Sequence, residues 1–237
     1  MIRDKIKDEE YFYEYLSKKE KRFETMQNAM EQRKAMSDFP GENDKGIRNA
    51  YRVLSVEYMS YLVAQYSAGE SIEKMRNAYD DLLLYSEKIW NEYCSYVDCI
   101  WFVAIGVLLG VNEAEKELLN SILLKYKKRD KLIAFFMKYL CEDKDDSLNY
   151  AMPKPYHLLN EYIEEGREDV GGIETYLANH WYRAHKDMAW YDSHKGKHNT
   201  YYGYWSFETA AIVKVLGLDD SSLKGKDYYP YDLVHYT

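Results

Sequence analysis

Residues that turn or break a chain are scarce: 4 Pro and 12 Gly serve 237 residues. A β-sandwich needs a turn roughly every ten residues, mostly built on those types, so that class is excluded. Cysteine is rarer still. Cys94, Cys99 and Cys141 are an odd number, and the first two, five apart, fall on different faces of any helix that carries them. They read as small core residues in a reducing compartment rather than as a disulfide frame. Long apolar runs are missing too. The stretch from Ile100 to Val111 is bounded by Asp98 and Asn112, well short of the ~20 residues that cross a bilayer, and reads as a buried helix. The first ten residues alternate charge from Arg3 to Glu10 and lack the apolar centre of a signal peptide, so a cytoplasmic protein is expected. No GxSxG, Walker loop, GxGxxG, HExxH or CxxC occurs, which removes the backbone devices of nucleophile elbows, phosphate cradles and common zinc sites.

An excess of positive charge is also lacking. With 32 Lys and Arg against 40 Asp and Glu, the net charge is −8, whereas a surface that tracks phosphates needs clustered cations. Direct nucleic-acid binding is not expected. Residues 41–100 hold 6 basic and 10 acidic side chains and residues 151–237 hold 9 and 13, so a basic partner would meet an extended negative surface.

What is abundant is tyrosine, 26 of it, in a chain that is 46% hydrophobic and 30% charged. That is too apolar for disorder. Tyrosine suits helix interfaces with wet edges, because its ring packs while its hydroxyl reaches water or a carbonyl, and it suits protein-binding surfaces for the same reason.

Apolar periodicity points to an all-α fold, an irregular array of antiparallel helix pairs. The spacing predicts a long solvated helix from Lys5 to Ala35, stopped at Asp38 to Asp44, with Asn43 or Asp44 as the next cap. A second helix aligns Ile47, Tyr51, Leu54, Tyr58 and Tyr61 on one face and ends at Gly69. A third, capped by Ser71, carries Ile72, Met75, Tyr79, Leu82 and Ile89. Ile100 to Leu109 makes a fourth ending at Gly110, Asn112 opens a fifth, and Asp130 opens a sixth. A polar and proline-bearing break follows at Glu142 to Asp146 and Pro153 to Pro155. Helical patterns then resume at Tyr156 to Glu165, Gly172 to Tyr191, and Tyr204 to Leu216 with Gly217 as its cap. Residues 1–110 and 111–237 are read as an N-terminal and a C-terminal helical module packed as one globule.

Few clusters carry chemistry. His180, His185, His194 and His198 lie near Asp187, Asp192 and Glu208 and form the best candidate for a metal-dependent hydrolase. The spacing of five between the first two does not match one helix face, and Gly196 interrupts the second pair, so satisfied structural histidines are the other reading. Asp219-Asp220-Ser221-Ser222 is either an acid pair or a turn closed by side-chain oxygens. Glu161, Glu164, Glu165, Glu168 and Asp169 form an acidic run, a solvated helix face or a docking patch for a basic protein, with Asp80 and Asp81 as further candidates.

The string Tyr201-Tyr202-Gly203-Tyr204-Trp205-Ser206-Phe207-Glu208, continuing to Leu218-Asp219-Asp220 and Tyr228-Tyr229-Pro230-Tyr231-Asp232-Leu233, resembles the C-terminal module of PoNi immunity proteins. Arg3 to Phe12 and Tyr66 to Ile72 resemble their N-terminal module, so the likeness covers nearly the whole chain. It implies a helical protein of the bacterial cytoplasm, without cofactor or enzymatic activity, that binds and neutralises a DNase toxin delivered by neighbouring cells. A general helical adaptor with no toxin is the alternative from the same residues. The likeness does not name an interface. Tyr202, Gly203, Tyr204, Trp205, Glu208, Asp219, Asp220, Tyr229, Pro230 and Asp232 read as family residues that hold the last helix in place.

Overall fold

The computed structural model describes residues 1–36, 44–89, 95–126, 130–141 and 149–237; the expected stop at 38–43, Cys94 and the polar break at 142–146 lie outside them. No strand occurs among the described residues, and the fold is all-α. Two compact units are present. One comprises Met1–Asn91 with His194–Gly203, the other Glu92–Ser193 with Tyr204–Thr237.

The first unit is built on three helices, α1 (Glu9–Met36), α2 (Lys45–Ala68) and α3 (Ile72–Ile89). Asp44 caps α2 by accepting from the amides of Gly46 and Ile47 at 2.7 and 3.1 Å, satisfying two donors that have no partner inside the helix. At the other end Gly69 turns the chain with φ 79°, donating to the carbonyls of Gln65 and Tyr66. A Cβ there would run into the carbonyl oxygen of Met1, so this position is closed to other residues twice over. α2 packs on both α3 and α1, and Leu54, Leu62 and Val63 of α2, Met75, Tyr79 and Leu82 of α3, and Phe12, Leu16 and Phe23 of α1 are all buried.

The first helix begins at Glu9, four residues later than its periodicity predicts. Asp4 diverts the chain by accepting from the amides of Ile6 and Lys7 at 2.8 and 2.7 Å, a local turn that competes with the helix. The leading segment is held in place. Arg3 and Asp4 amides bond Ser67 O, and the Arg3 guanidinium donates to Tyr66 O and Glu70 O at 3.1 and 2.9 Å, a cation where the end of α2 is most negative. Tyr201 closes the unit: its hydroxyl donates to Asp4 Oδ2, while its amide and carbonyl bond the Tyr11 hydroxyl.

The second unit is organised on α4 (Tyr96–Leu109), in which every residue from Cys99 to Leu109 is buried. A helix apolar all round needs neighbours on all sides, and α6 (Lys131–Cys141), α11 (Phe207–Leu216) and α12 (Tyr231–Val234) pack on it. Gly110 ends α4 with φ 64°, and Asn112 with Glu115 forms a reciprocal capping box for α5 (Glu113–Leu124). Asp130 opens α6 and also ties in Tyr96 and the amide of Ala151.

Between α6 and α11 the predicted long helices are broken. Tyr156 to Glu165 divides into α7 (Pro153–Tyr156), a 3-10 turn and α8 (Asn160–Ile163). Gly172 to Tyr191 becomes α9 (Gly171–Tyr176), a π turn over Leu177–Trp181, α10 (Tyr182–Ala184) and then irregular turns. The reason is tertiary: the wide turn brings Trp181 into the interior of the unit at the expense of regular helix bonding. The last long helix starts at Phe207 rather than Tyr204, because the Ser206 amide is bonded to Tyr228 O at 2.7 Å.

Candidate functional site

Five of the predicted acids lie on one short stretch of the second unit, yet their charge is partly cancelled there. Arg167 donates to Glu161 Oε2 at 2.6 Å and grips Asp169 with two bonds of 3.0 and 2.7 Å. That guanidinium holds the Asp169 carboxyl below the usual carboxylate range. Lys131 pairs with Glu164 at 2.6 Å. Glu165 and Glu168, both exposed, are left without an ion pair among the described residues, so they dominate what the run presents to solvent. Asp80 and Asp81 belong to the other unit, on α3, and both are half-buried.

Most of the family-motif residues sit in the packing, while Asp219 and Asp232 are exposed. Tyr202 O accepts from Ser67 Oγ at 2.8 Å in the first unit, and Gly203 takes φ 116°. In the second unit the Tyr204 ring lies 5.0 Å from Tyr182 and 5.6 Å from Trp190, and Trp205 is buried. Asp219 accepts from the Ser221 amide at 3.0 Å, closing a turn. Buried Asp220 accepts from the Tyr229 hydroxyl at 2.7 Å and His235 at 2.9 Å, Pro230 is buried, and Asp232 lies in the first turn of α12.

Glu208 is fully buried in the second unit. Its Oε1 accepts from Trp181 Nε1 at 2.7 Å and Ser206 Oγ at 2.8 Å. Burial pushes its carboxyl up to about 7, and these donors bring it back only in part. Close by, His185 has both ring nitrogens engaged, with the Tyr156 hydroxyl at 2.9 Å and Trp181 O at 2.7 Å, and burial lowers its affinity for a proton. His180 is exposed, and His194 and His198 fall in the first unit. Among the described residues no group of three His, Cys, Asp or Glu is placed to hold a metal ion, so the hydrolase alternative finds no support in the geometry.

A feature that the sequence did not single out is a groove of about 450 Å³ on the first unit, where α1, α2 and α3 meet. Glu20 and Glu24 come from α1, Tyr58, Tyr61 and Gln65 from α2, and Lys74 and Asp81 from α3. Phe23 and Tyr58 stack in its wall with centroids 4.1 Å apart and planes 7° from parallel, and Tyr61 meets Phe23 edge-on at 5.2 Å. Burial raises the Asp81 carboxyl above its ordinary range, with the neighbouring Tyr58 hydroxyl opposing the rise. Glu20 and Glu24 read as part of a solvated helix and Asp81 as a further candidate for a basic partner, and only the packing of three helices gathers them.

The family model described as PoNe immunity protein, N-terminal, matches residues 3–120, and the model described as PoNe immunity proteins, C-terminal, matches residues 128–233. The chain belongs to the PoNe immunity protein family. The crystal structure of protein PA2201 from Pseudomonas aeruginosa is similar to it in fold, with a TM-score of 0.70 over 99% of this chain and 90% of that one at 17% identity. Among curated proteins none matches. Within the PoNi frame, the boundary between the family's two regions falls near the end of α5, whereas α4, from the N-terminal region, is packed with α11 from the C-terminal one.

Proposed function

We propose that this chain is a cytoplasmic bacterial immunity protein that binds a DNase toxin of the PoNe type and neutralises it by contact, without chemistry of its own. The observation that carries this reading is the succession of both PoNe immunity regions along nearly the whole chain. Electrostatics agree with it. A DNase must attract a polyanion, so its cleft is positive, and a partner of net charge −8 is drawn to such a surface. The acids proposed to meet it are Glu161, Glu164, Glu165, Glu168 and Asp169, with Asp80 and Asp81. Glu165 and Glu168 contribute most, since Arg167 and Lys131 offset the others of the run.

The test is co-expression in a bacterial host of PoNe-type DNases, beginning with one encoded beside this gene, with and without the chain. Restored growth and co-elution of an intact, unmodified toxin in a stoichiometric complex are expected. Growth that stays poisoned, or rescue accompanied by a cleaved or modified toxin, overturns the proposal.

A further inference from the structure

We propose that the groove formed by α1, α2 and α3 is a receptor for an arginine side chain presented by the toxin; this rests on the immunity reading above and names the group that one of its surfaces takes. Three independent features of the groove converge on that chemistry. Its wall is aromatic, with Phe23, Tyr58 and Tyr61 in mutual contact; Phe23 and Tyr58 are buried and stacked on each other, so the half-buried Tyr61 is the ring open to a cation, a guanidinium above all. Its charge is negative. Among the described residues Glu20, Glu24, Glu70 and Asp81 line it against a single cation, Lys74, whose ammonium is engaged by Glu70 at 2.6 Å. Finally, the Gln65 side chain that lines it is only 4% exposed, and its Oε1 accepts no hydrogen bond from the described residues. A buried acceptor left without a donor is costly, and an incoming N–H removes that cost.

The same features exclude other occupants. An anion would face a surplus of carboxylates. A metal ion needs several ligands converging at bonding distance, and the described residues contain no such group. A lysine carries one compact, strongly hydrated charge, whereas a guanidinium offers five donors in a plane that also stacks on rings, matching carboxylates, an amide oxygen and aromatic faces at once. The site is also partly organised in advance: the Tyr61 hydroxyl donates to Glu20 Oε1 at 2.8 Å, and Gln27 is held by the Tyr85 hydroxyl at 2.7 Å.

The experiment titrates a labelled tetra-arginine peptide, and separately a tetra-lysine peptide, into the full chain at physiological salt, following fluorescence anisotropy. The variant Glu20→Gln with Glu24→Gln changes two exposed side chains of the groove. The variant Glu165→Gln with Glu168→Gln removes the same charge from the other unit. The arginine peptide is expected to bind about fivefold tighter than the lysine peptide, and the groove variant to lose about tenfold while the control loses less than about twofold. Equal binding of the two peptides, or equal losses in the two variants, overturns the proposal, because attraction to a diffuse acidic surface explains either. The same variants are then measured against a PoNe-type DNase. If the native chain binds the DNase and the groove variant dissociates no faster, the arginine receptor is overturned while the immunity reading stands. If the native chain takes the arginine peptide in the groove but no DNase, the receptor is supported and the immunity reading falls.

Discussion

Glu208 shows what a single buried carboxyl does to a fold. Its proton affinity is raised from the ordinary 4.5 to about 7 by burial. A carboxyl that binds its proton more tightly when folded destabilises the fold as pH rises from the unfolded value through the folded one. The cost of Glu208 is therefore absent near pH 4.5 and complete above about pH 7, where it amounts to about 3 kcal/mol. His185, whose affinity is lowered, works in the opposite sense, so a difference between two chains isolates the glutamate. Urea unfolding of Glu208→Gln and of the native chain should give a gap that shifts in favour of the variant between pH 5 and pH 8. A gap that does not change with pH would mean that Glu208 is ionised when buried. Arg167 allows a second residue-scale prediction. Arg167→Gln releases Glu161 and Asp169 from their shared cation, so the variant should capture a basic toxin faster than the native chain at low salt, measured by stopped flow.

At the scale of elements, ends matter most. Gly69 and Gly110 both hold left-handed turns, but a Cβ at Gly110 meets nothing while one at Gly69 meets the Met1 carbonyl. Gly110→Ala should cost about 1–2 kcal/mol from backbone strain alone, and Gly69→Ala distinctly more, with loss of the Arg3 contacts to α2; chemical denaturation ranks them. Lys214 sends its ammonium to Leu108 O and Tyr236 O, each at 2.7 Å, joining the end of α4 to the last residues. Lys214→Met, which keeps the apolar stem, should free the amides of 231–237 to exchange faster. The helices legible in the sequence were those with both a stripe and a cap: Asp44 and Gly69 around α2, Asn112 before α5, Gly217 after α11. Those that were not legible follow non-local contacts. The spacing of Tyr176, Leu177 and Trp181 fits a regular helix, and the π turn between them answers to packing in the second unit. The groove and the neighbourhood of Glu208 stayed hidden likewise, because Trp181 lies 27 positions from Glu208 and Glu20 lies 41 from Tyr61.

For the whole molecule, connectivity and charge carry separate consequences. The first unit takes in His194–Gly203, and the second contains α4, which precedes α5 in the chain but packs with α11. Cutting between residues 110 and 111 strands a helix buried from Cys99 to Leu109, so fragments 1–110 and 111–237 should aggregate apart and recover helical circular dichroism only when mixed. Charge governs encounter rather than folding. With net charge −8 and no excess of cations over acids in any quarter of the chain, duplex DNA should not be retarded at micromolar protein. On the proposed function a toxin differs, because a basic cleft and an acidic surface would attract over about 8 Å, the screening length at physiological salt. Capture should therefore slow steeply as salt rises, whereas dissociation, set by buried anchors, should change little. Neutralising the run from Glu161 to Asp169 with Gln and Asn should flatten the salt dependence of association and leave dissociation unchanged. Neutralising Glu20 and Glu24 should hasten dissociation as well. If the neutralised run associates as fast as the native chain across the whole salt series and protects cells equally, then those five acids are a solvated face and the tyrosine-lined groove is left as the principal contact.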